Sequence, residues 1–185
     1  MTSALHIARA ARIVQRGGVI AYPTEAVFGL GCLPQDRAAV ERVLAIKRRS
    51  WRKGLLLIGA DLEQIEQFAV LPPEPTRSEV LASWPGPVTW VLRARPAAPR
   101  WLTGGRDSVA VRVTDHALAG ELCRKVGQAI VSTSANLSRR PPFRRLLPLR
   151  RGLGGAVDYV LSGALGGLAT PTTIRDAHSG AVVRP

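Results

Sequence analysis

The sequence predicts an α/β domain in which helices cover a twisted, mixed β-sheet. Short apolar runs typical of strands alternate with amphipathic, helix-like segments along the whole chain. In addition, 46% of the 185 residues are hydrophobic, and no apolar segment is long enough to cross a bilayer. A chain of this length and composition can bury one sizeable core, so we expect residues 1–185 to form a single domain.

The elements have recognisable boundaries. A helix over residues 4–16 ends at a Gly-Gly pair, and the apolar run "VIAYP" after it indicates a buried strand that Pro23 stops. Asp36 can cap a helix at 37–48, whose apolar face ends in charge at Lys47. The remaining predicted elements are strands at 54–60, 88–94, 108–113 and 129–135 and helices at 62–69, just after Pro75 and at 116–127.

Positive charge is in large excess. There are 26 Lys and Arg residues against 13 Asp and Glu, a net charge of +13, and a basic surface attracts polyanions. Nearly all of these cations are arginine, which a genome-wide coding bias explains equally well, so local placement must decide. Two segments concentrate the charge: "KRRSWRKG" at 47–54, and 138–155, which we predict to be a mobile basic loop.

The cysteines and histidines do not suggest a metal site. Cys32 and Cys123 lie far apart in apolar surroundings, which favours buried free thiols over a disulfide or metal ligands. The three histidines are scattered, without the spacing of a ligand set. We therefore expect no bound metal and no tightly held cofactor.

Familiar nucleotide and hydrolase motifs are missing from the sequence. There is no P-loop, "GLGCLP" at 29–34 lacks the third glycine of a dinucleotide fingerprint, and Ser134 has no nucleophile elbow around it. The first residues form an amphipathic pattern without a signal-peptide core. We expect a cytoplasmic protein with no membrane partner.

Polar residues cluster where apolar strands end, which is where α/β sheets bind ligands. Ser108 and Arg112 have even spacing and so share one face of their strand, and the same rule groups Ser132 with Ser134 and Asn136. Each has a purely structural alternative. Thr24 can cap a turn, Arg112 can pair with a carboxylate, and the serines can satisfy a strand end.

Taken together, the motifs resemble the YrdC family of threonylcarbamoyl-AMP synthases. The matching stretches are "YPTEAVFGLGC", the K-x-R of Lys47 and Arg49 with Lys53, "WPGPVTWVL", "SVAVRVTDH", "VSTSANLS" and "PTTIRD". The resemblance implies a short, single-domain member with a concave basic cleft. It also implies an enzyme that joins L-threonine, bicarbonate and ATP into threonylcarbamoyl-AMP and pyrophosphate, for threonylcarbamoyladenosine in ANN-decoding tRNAs.

The resemblance also assigns site residues. The residues implied to bind ATP and its phosphates are Lys47, Arg49, Lys53, Ser108, Ser134, Asn136 and Arg184. Those implied to bind L-threonine are Thr24, Arg112, Ser132 and Thr172, with the Arg112 guanidinium as partner of the substrate carboxylate. Arg48 and Arg52 are expected to face solvent or RNA. Mg²⁺ is expected to arrive with the ATP.

The sequence leaves a second function open. The same cleft could bind tRNA or double-stranded RNA without chemistry, as an RNA- or ribosome-maturation factor. The threonine-side residues have no obvious role in RNA binding and favour the enzyme. In the family, separate partner proteins transfer the threonylcarbamoyl group to tRNA. A carbamoyl-transfer domain of the hydrogenase-maturation type is disfavoured because its zinc and acylphosphatase modules are missing.

Overall fold

The computed structural model describes residues 4–138 and 140–184. The helices are α1 Ala4–Gln15, α2 Arg37–Lys47, α3 Leu62–Glu66, α4 Thr76–Ala82, α5 Arg100–Thr103, α6 Ala117–Val126 and α7 Leu146–Leu153, with a 3-10 turn at Trp51–Lys53. The strands are β1 Ile20–Pro23, β2 Phe28–Gly31, β3 Leu56–Gly59, β4 Ala69–Val70, β5 Val88–Ala94, β6 Ser108–Val113, β7 Ile130–Ser134, β8 Tyr159–Val160, β9 Thr173–Asp176 and β10 Val182–Arg184.

Local caps set the limits of α2 and α6. The Asp36 carboxylate accepts a hydrogen bond from the Ala39 N–H at 3.0 Å, which confirms the predicted N-cap of α2. That helix ends at Arg48, which has a left-handed backbone with φ of 49°. Helix α6 ends at Gly127 with φ of 87°, a conformation that glycine adopts without steric cost. The basic segment 47–54 therefore lies between the end of α2 and the start of β3.

The described strands form one mixed sheet in the order β10-β9-β5-β6-β3-β7-β2-β1-β8, and β4 pairs with β5. Strand β3 lies at the centre, parallel to β6 and antiparallel to β7. The predicted fold class, an α/β domain with a mixed sheet flanked by helices, is thus what the structure has.

The two faces of the sheet carry separate apolar clusters because side chains alternate along each strand. Leu57 and Val131 pack on one face, together with α2 and α7. Tyr22 and Ile130 pack on the other face, which α1 and α6 cover in part. The uncovered part of this second face holds the candidate site.

Residues 140–155 of the predicted mobile loop at 138–155 are helical in part. They contain α7, whose Leu149 and Leu153 are buried, and Phe143 packs against the main core. The apolar residues recur on one helical face, and this amphipathic pattern was hidden by the surrounding arginines. Arg139 lies outside the described residues.

Several short elements were not predicted: β2, β4, α5, β8, β9 and β10. Strand β2, with the sequence "FGLG", was missed because glycine weakens strand propensity. The structure explains one of its glycines, since a Cβ on Gly31 would lie 2.8 Å from the Tyr22 ring. Strands β8 and β9 pair with β1 and β5, which are distant in sequence and which local patterns do not reveal, whereas β10 pairs with the preceding strand β9.

Two other predictions from composition can be compared with the structure. Cys32 and Cys123 are both buried and free, as expected. Within 4–138 and 140–184, no helix is long and apolar enough to cross a membrane.

Candidate functional site

A cavity of about 580 Å³ opens on the sheet face that α1 and α6 leave uncovered. This volume is in the range that small-molecule sites occupy. Nine of the eleven residues assigned by resemblance line the cavity: Thr24, Arg49, Lys53, Ser108, Arg112, Ser132, Ser134, Thr172 and Arg184. The fold therefore gathers residues that are up to 160 positions apart in sequence, counting from Thr24 to Arg184 (184 − 24).

Strand alternation and register explain this gathering. Ser108 and Arg112 both line the cavity from β6, and Ser132 and Ser134 both line it from β7. Between them runs β3, where Leu56 pairs with Ala110 on one side and with Ser132 on the other. The shared-face predictions are confirmed for Ser108 with Arg112 and for Ser132 with Ser134, whereas Asn136 lies past the end of β7 and outside the lining.

Lys47 and Asn136 are not among the cavity-lining residues. Lys47 is 3% exposed, and its Nζ donates to the Ser134 carbonyl and, at 2.7 Å, to Asn136 Oδ1. The Asn136 Nδ2 in turn donates to the Arg140 carbonyl at 2.6 Å. Neither residue lines the cavity, and their direct contact with ATP phosphates stays a prediction. They lie behind the lining and fix the turn that presents Ser134.

The environment of Lys47 alters its acidity. Burial first, and then the charge of Arg49, lower the pKa of Lys47 to about 8. The ammonium is stabilised by oxygen acceptors but has no carboxylate within salt-bridge distance among the described residues. The Lys47 side chain is thus a buried cation whose pKa, about 8, lies close to neutral pH.

One end of the cavity is lined by three cations: Arg49, Lys53 and Arg106. Arg49 Nη2 donates to the Gly54 carbonyl at 3.1 Å, while its Nε is buried without a hydrogen-bond partner. Burial first, and then the charge of Arg106, lower the pKa of Arg49. An arginine in this state would gain from an anion.

Arg106 is the residue that the sequence reasoning missed. It lies two positions before Ser108, in the loop "TGGRD", and the alternation rule for strands does not extend into a loop. The nearest signal was its position next to a strand that already carried two candidate residues. Arg48 and Arg52, by contrast, are exposed and outside the lining, as predicted.

Arg112 lines the middle of the cavity and is paired behind it. Its Nη2 lies 2.8 Å from Glu25 Oε2, and the two side chains are only 4% and 5% exposed. The second Glu25 oxygen accepts a hydrogen bond from the Thr114 hydroxyl. The Arg112 Nε is buried and has no partner. The structural alternative for Arg112, pairing with a carboxylate, is therefore realised, although the residue also lines the cavity and its buried Nε donor is not used.

The hydroxyl groups of the lining are also held by neighbours. The Tyr22 hydroxyl donates to Ser132 Oγ at 2.7 Å, and the Thr24 hydroxyl donates to the Val27 carbonyl at 2.7 Å. The turn-capping alternative for Thr24 is thus confirmed. Because Tyr22 is fully buried, its hydroxyl fixes Ser132 in one orientation.

The electrostatic balance of the lining is strongly positive. It contains one lysine and four arginines: Arg49, Lys53, Arg106, Arg112 and Arg184. The carboxylate in the described lining is Asp176, whose Oδ1 accepts N–H groups from His178 and Ser179 at 2.8 and 3.1 Å. Burial lowers the pKa of Arg184, with a further contribution from Arg112. Such a cavity suits a ligand with several negative charges.

The described residues do not gather metal ligands. Among them, no group of three or more His, Cys, Asp or Glu side chains is placed to hold a metal ion. The cavity therefore has the chemistry of a site for anions and small polar groups.

Comparison with known proteins identifies the family of this chain. A family model for Sua5, YciO and YrdC proteins, described as "Telomere recombination", matches residues 12–185. The chain belongs to the Sua5/YciO/YrdC family. A relative from Nitrosococcus oceani, named threonylcarbamoyl-AMP synthase, is 52% identical over 175 residues, which are 95% of each chain.

Solved structures of the Sua5/YciO/YrdC family share the fold. P. abyssi Sua5 complexed with L-threonine superposes with a TM-score of 0.86 at 33% identity, covering 92% of this chain and 50% of the other. E. coli YciO gives a TM-score of 0.84 at 28% identity, covering 96% of this chain and 87% of the other. The chain thus spans about half the length of the Sua5 protein and most of YciO.

Proposed function

We propose that this protein is a threonylcarbamoyl-AMP synthase, which converts L-threonine, bicarbonate and ATP into threonylcarbamoyl-AMP and pyrophosphate. The observation that carries the proposal is one cavity that Arg112 and Ser132 line from the sheet and that Arg49 and Lys53 line from the segment between α2 and β3. The 52% identical relative that bears this enzyme name supports the same conclusion.

L-Threonine occupies the part of the cavity around Arg112. The substrate carboxylate accepts hydrogen bonds from Arg112, a cavity-lining residue whose Nη2 also pairs with Glu25. Thr24, Ser132 and Thr172 surround this position in the lining, and a hydroxyl can donate to or accept from the threonine amine and hydroxyl. The L-threonine in the Sua5 structure supports the placement of this substrate in the fold.

ATP occupies the part of the cavity lined by the remaining assigned residues. Arg49 and Lys53 bind the phosphates, Arg49 as a planar fork and Lys53 as a point charge. Ser108, Ser134 and Arg184 complete this side of the lining. Lys47 and Asn136 act from behind, because they hold the turn on which Ser134 lies.

The reaction needs positioning and charge stabilisation more than it needs a protein nucleophile. The threonine amine first attacks bicarbonate, which gives a carbamate and water. A carbamate oxygen then attacks the α-phosphorus of ATP, the bond from that phosphorus to the β-bridging oxygen breaks, and pyrophosphate leaves with the electron pair. Negative charge stays on phosphate oxygens throughout, so fixed cations lower the barrier.

Mg²⁺ would arrive bound to the triphosphate. Asp176, the carboxylate of the described lining, already accepts two backbone N–H groups, and one such oxygen ligand does not make a protein site for the ion. Bound to the phosphates, the ion would neutralise part of their charge. The protein residues would then bind the outer oxygens of the nucleotide.

The product would serve tRNA modification. Threonylcarbamoyl-AMP is an activated acyl donor, and separate transfer proteins would pass its threonylcarbamoyl group to ANN-decoding tRNAs in the cytoplasm. On this proposal residues 1–185 act as one catalytic domain. Direct binding of tRNA or duplex RNA is not needed for the reaction.

The test is release of pyrophosphate from ATP by the purified protein in bicarbonate buffer, with L-threonine, with L-serine or with no amino acid. We expect release that requires bicarbonate and L-threonine, together with a product that has the mass of threonylcarbamoyl-AMP. If no pyrophosphate forms while duplex RNA binds tightly at physiological salt, the synthase is ruled out and the cleft is an RNA site.

A further inference from the structure

Arg106 lines the cavity but is not among the residues that the family resemblance assigned to the site. It lines the same end as Arg49 and Lys53, and it lies two residues before β6 begins. Its guanidinium also borders a shallower neighbouring groove lined by Arg93 and Arg100. The side chain therefore lies at the boundary between the cavity and the outer surface.

The backbone around Arg106 leaves room for its guanidinium. Arg106 Nη1 donates to the Arg52 carbonyl at 3.0 Å. A Cβ on Gly54 would lie 2.6 Å from Arg106 Nη2, and one on Gly104 would lie 2.9 Å from it. Both glycines have positive φ, 67° and 69°. The guanidinium thus lies against two turns that have glycine at these positions and close to Arg49, while Arg106 as a whole is exposed.

The charges at this end lack a counter-ion from the protein. Neither Arg49 nor Arg106 forms a salt bridge within residues 4–138 and 140–184. Two guanidinium groups held close together repel each other, and the repulsion is relieved when an anion binds between them. The arrangement is that of an anion site in which Arg106 supplies one side.

Strand β6 indicates which part of the substrate this anion is. Ser108 and Arg112 are four residues apart, roughly 13 Å along an extended strand. Arg106 lies beyond Ser108, at the end farther from Arg112. If threonine lies at Arg112, then the carbamoyl group, the α-phosphate and the two outer phosphates follow in that order toward Arg106.

We propose that Arg106 binds the β- and γ-phosphates of ATP and stabilises them as the pyrophosphate leaves. This inference rests on the proposed function for the identity of the anion. When the bond between the α-phosphorus and the bridging oxygen breaks, negative charge grows on the departing pyrophosphate, next to the Arg106 guanidinium. Arg106 therefore contributes both to ATP binding and to the chemical step, and not to threonine binding.

The experiment compares Arg106→Ala, Arg106→Gln and Arg106→Lys with wild type and with Arg52→Ala. Arg106→Gln retains an N–H donor for the Arg52 carbonyl but has no charge, and Arg106→Lys retains the charge. Arg52→Ala removes an equal charge from an exposed side chain of the 3-10 turn at 51–53, outside the cavity. Calorimetry with inorganic pyrophosphate measures binding without turnover, and steady-state kinetics gives kcat and both KM values.

We expect Arg106→Ala and Arg106→Gln to weaken pyrophosphate binding about tenfold or more, to raise KM for ATP and to lower kcat. KM for threonine should stay within about twofold of wild type, Arg106→Lys should retain part of the pyrophosphate affinity, and Arg52→Ala should match wild type.

Two results would overturn the inference. In the first, Arg106→Gln matches wild type, so that only the bond to the Arg52 carbonyl matters. In the second, Arg106→Ala raises both KM values equally and lowers the melting temperature, as a structural residue would. If wild type shows no threonine-dependent turnover but binds pyrophosphate through Arg106, the synthase function fails and the anion site stands.

Discussion

The Arg112 guanidinium lies 2.8 Å from the Glu25 carboxylate, and both groups are almost completely buried. Glu25 comes from the segment after β1, whereas Arg112 comes from β6 on the other side of β3, β7 and β2 in the sheet order. The ion pair connects the proposed threonine subsite on β6 to the segment after β1, with β3, β7 and β2 between them in the sheet. Since a charged group buried without a partner is costly, each residue depends on the other.

Glu25→Gln should strongly destabilise the protein. It leaves the Arg112 charge buried without its partner, so the free energy of unfolding should fall by about 3–5 kcal/mol. The double variant Glu25→Gln, Arg112→Met should lose less than the sum of the single changes, as measured by urea unfolding. Glu41→Gln, which breaks an exposed pair with Arg37, is the control and should cost less than about 1 kcal/mol. Equal costs for Glu25→Gln and Glu41→Gln would contradict this prediction.

Arg112→Lys should mainly affect threonine. Lysine keeps the positive charge near Glu25 but lacks the planar fork that binds a carboxylate with two hydrogen bonds. We expect KM for L-threonine to rise about tenfold, while KM for ATP changes less than twofold. A variant with normal threonine kinetics and weakened ATP binding would reverse the two subsites.

Arg49→Ala should abolish formation of the adenylate and leave the fold intact. Arg49 lines the cavity, its guanidinium makes one hydrogen bond to the Gly54 carbonyl, and its buried Nε has no hydrogen-bond partner. We expect pyrophosphate release to drop about 100-fold or more, with unfolding changed by no more than about 1 kcal/mol. Turnover at the wild-type rate would remove Arg49 from the site. Arg48→Ala, at the exposed neighbouring position, serves as the control.

Lys47 should make stability depend on pH above neutrality. Its pKa is about 8 in the folded protein and about 10.5 in an unfolded chain. Between these values the unfolded state binds more protons, so the contribution of Lys47 to stability rises with pH. Relative to Lys47→Met, wild type should gain up to about 1.4 kcal/mol per pH unit from pH 8 to 10 in urea unfolding. The exposed Lys125→Met variant should keep the pH trend of wild type, and a constant difference between wild type and Lys47→Met would refute the prediction.

Leu149→Ala tests whether residues 146–153 belong to the folded core. Leu149 is completely buried, and its truncation should cost about 2–5 kcal/mol of unfolding free energy. Leu147, two residues earlier on the same helix, is 60% exposed, and Leu147→Ala should have almost no effect. Similar small costs for both variants would indicate that α7 contributes little to the core.

Local patterns in the sequence were sufficient for the longer elements. The apolar spacing of α1, α2 and α6 and the alternation in β5, β6 and β7 gave their positions within a few residues. The predicted cap at Asp36 follows from a short-range hydrogen bond, which depends on neighbours only. Alternation also predicted that Ser108 shares a face with Arg112.

Other features depend on contacts between distant segments. Strand β2 pairs with β7, β8 with β1 and β9 with β5, all far apart in sequence, and α7 forms where its leucines can reach the core. Motif resemblance grouped Lys47 with Arg49. The structure separates them, because burial turns the Lys47 ammonium toward the 134–136 turn.

The sequence by itself therefore determined the fold class and the main helices and strands, and the family resemblance of its motifs named nine of the residues that line the cavity. Those features follow from periodicity, capping and motifs, which act over short distances along the chain. Only the tertiary structure decided that Glu25 pairs with Arg112, that Lys47 and Asn136 lie behind the lining, and that Arg106 joins Arg49. These relationships depend on side-chain direction and burial across the sheet, and nothing in the local order of residues specifies them.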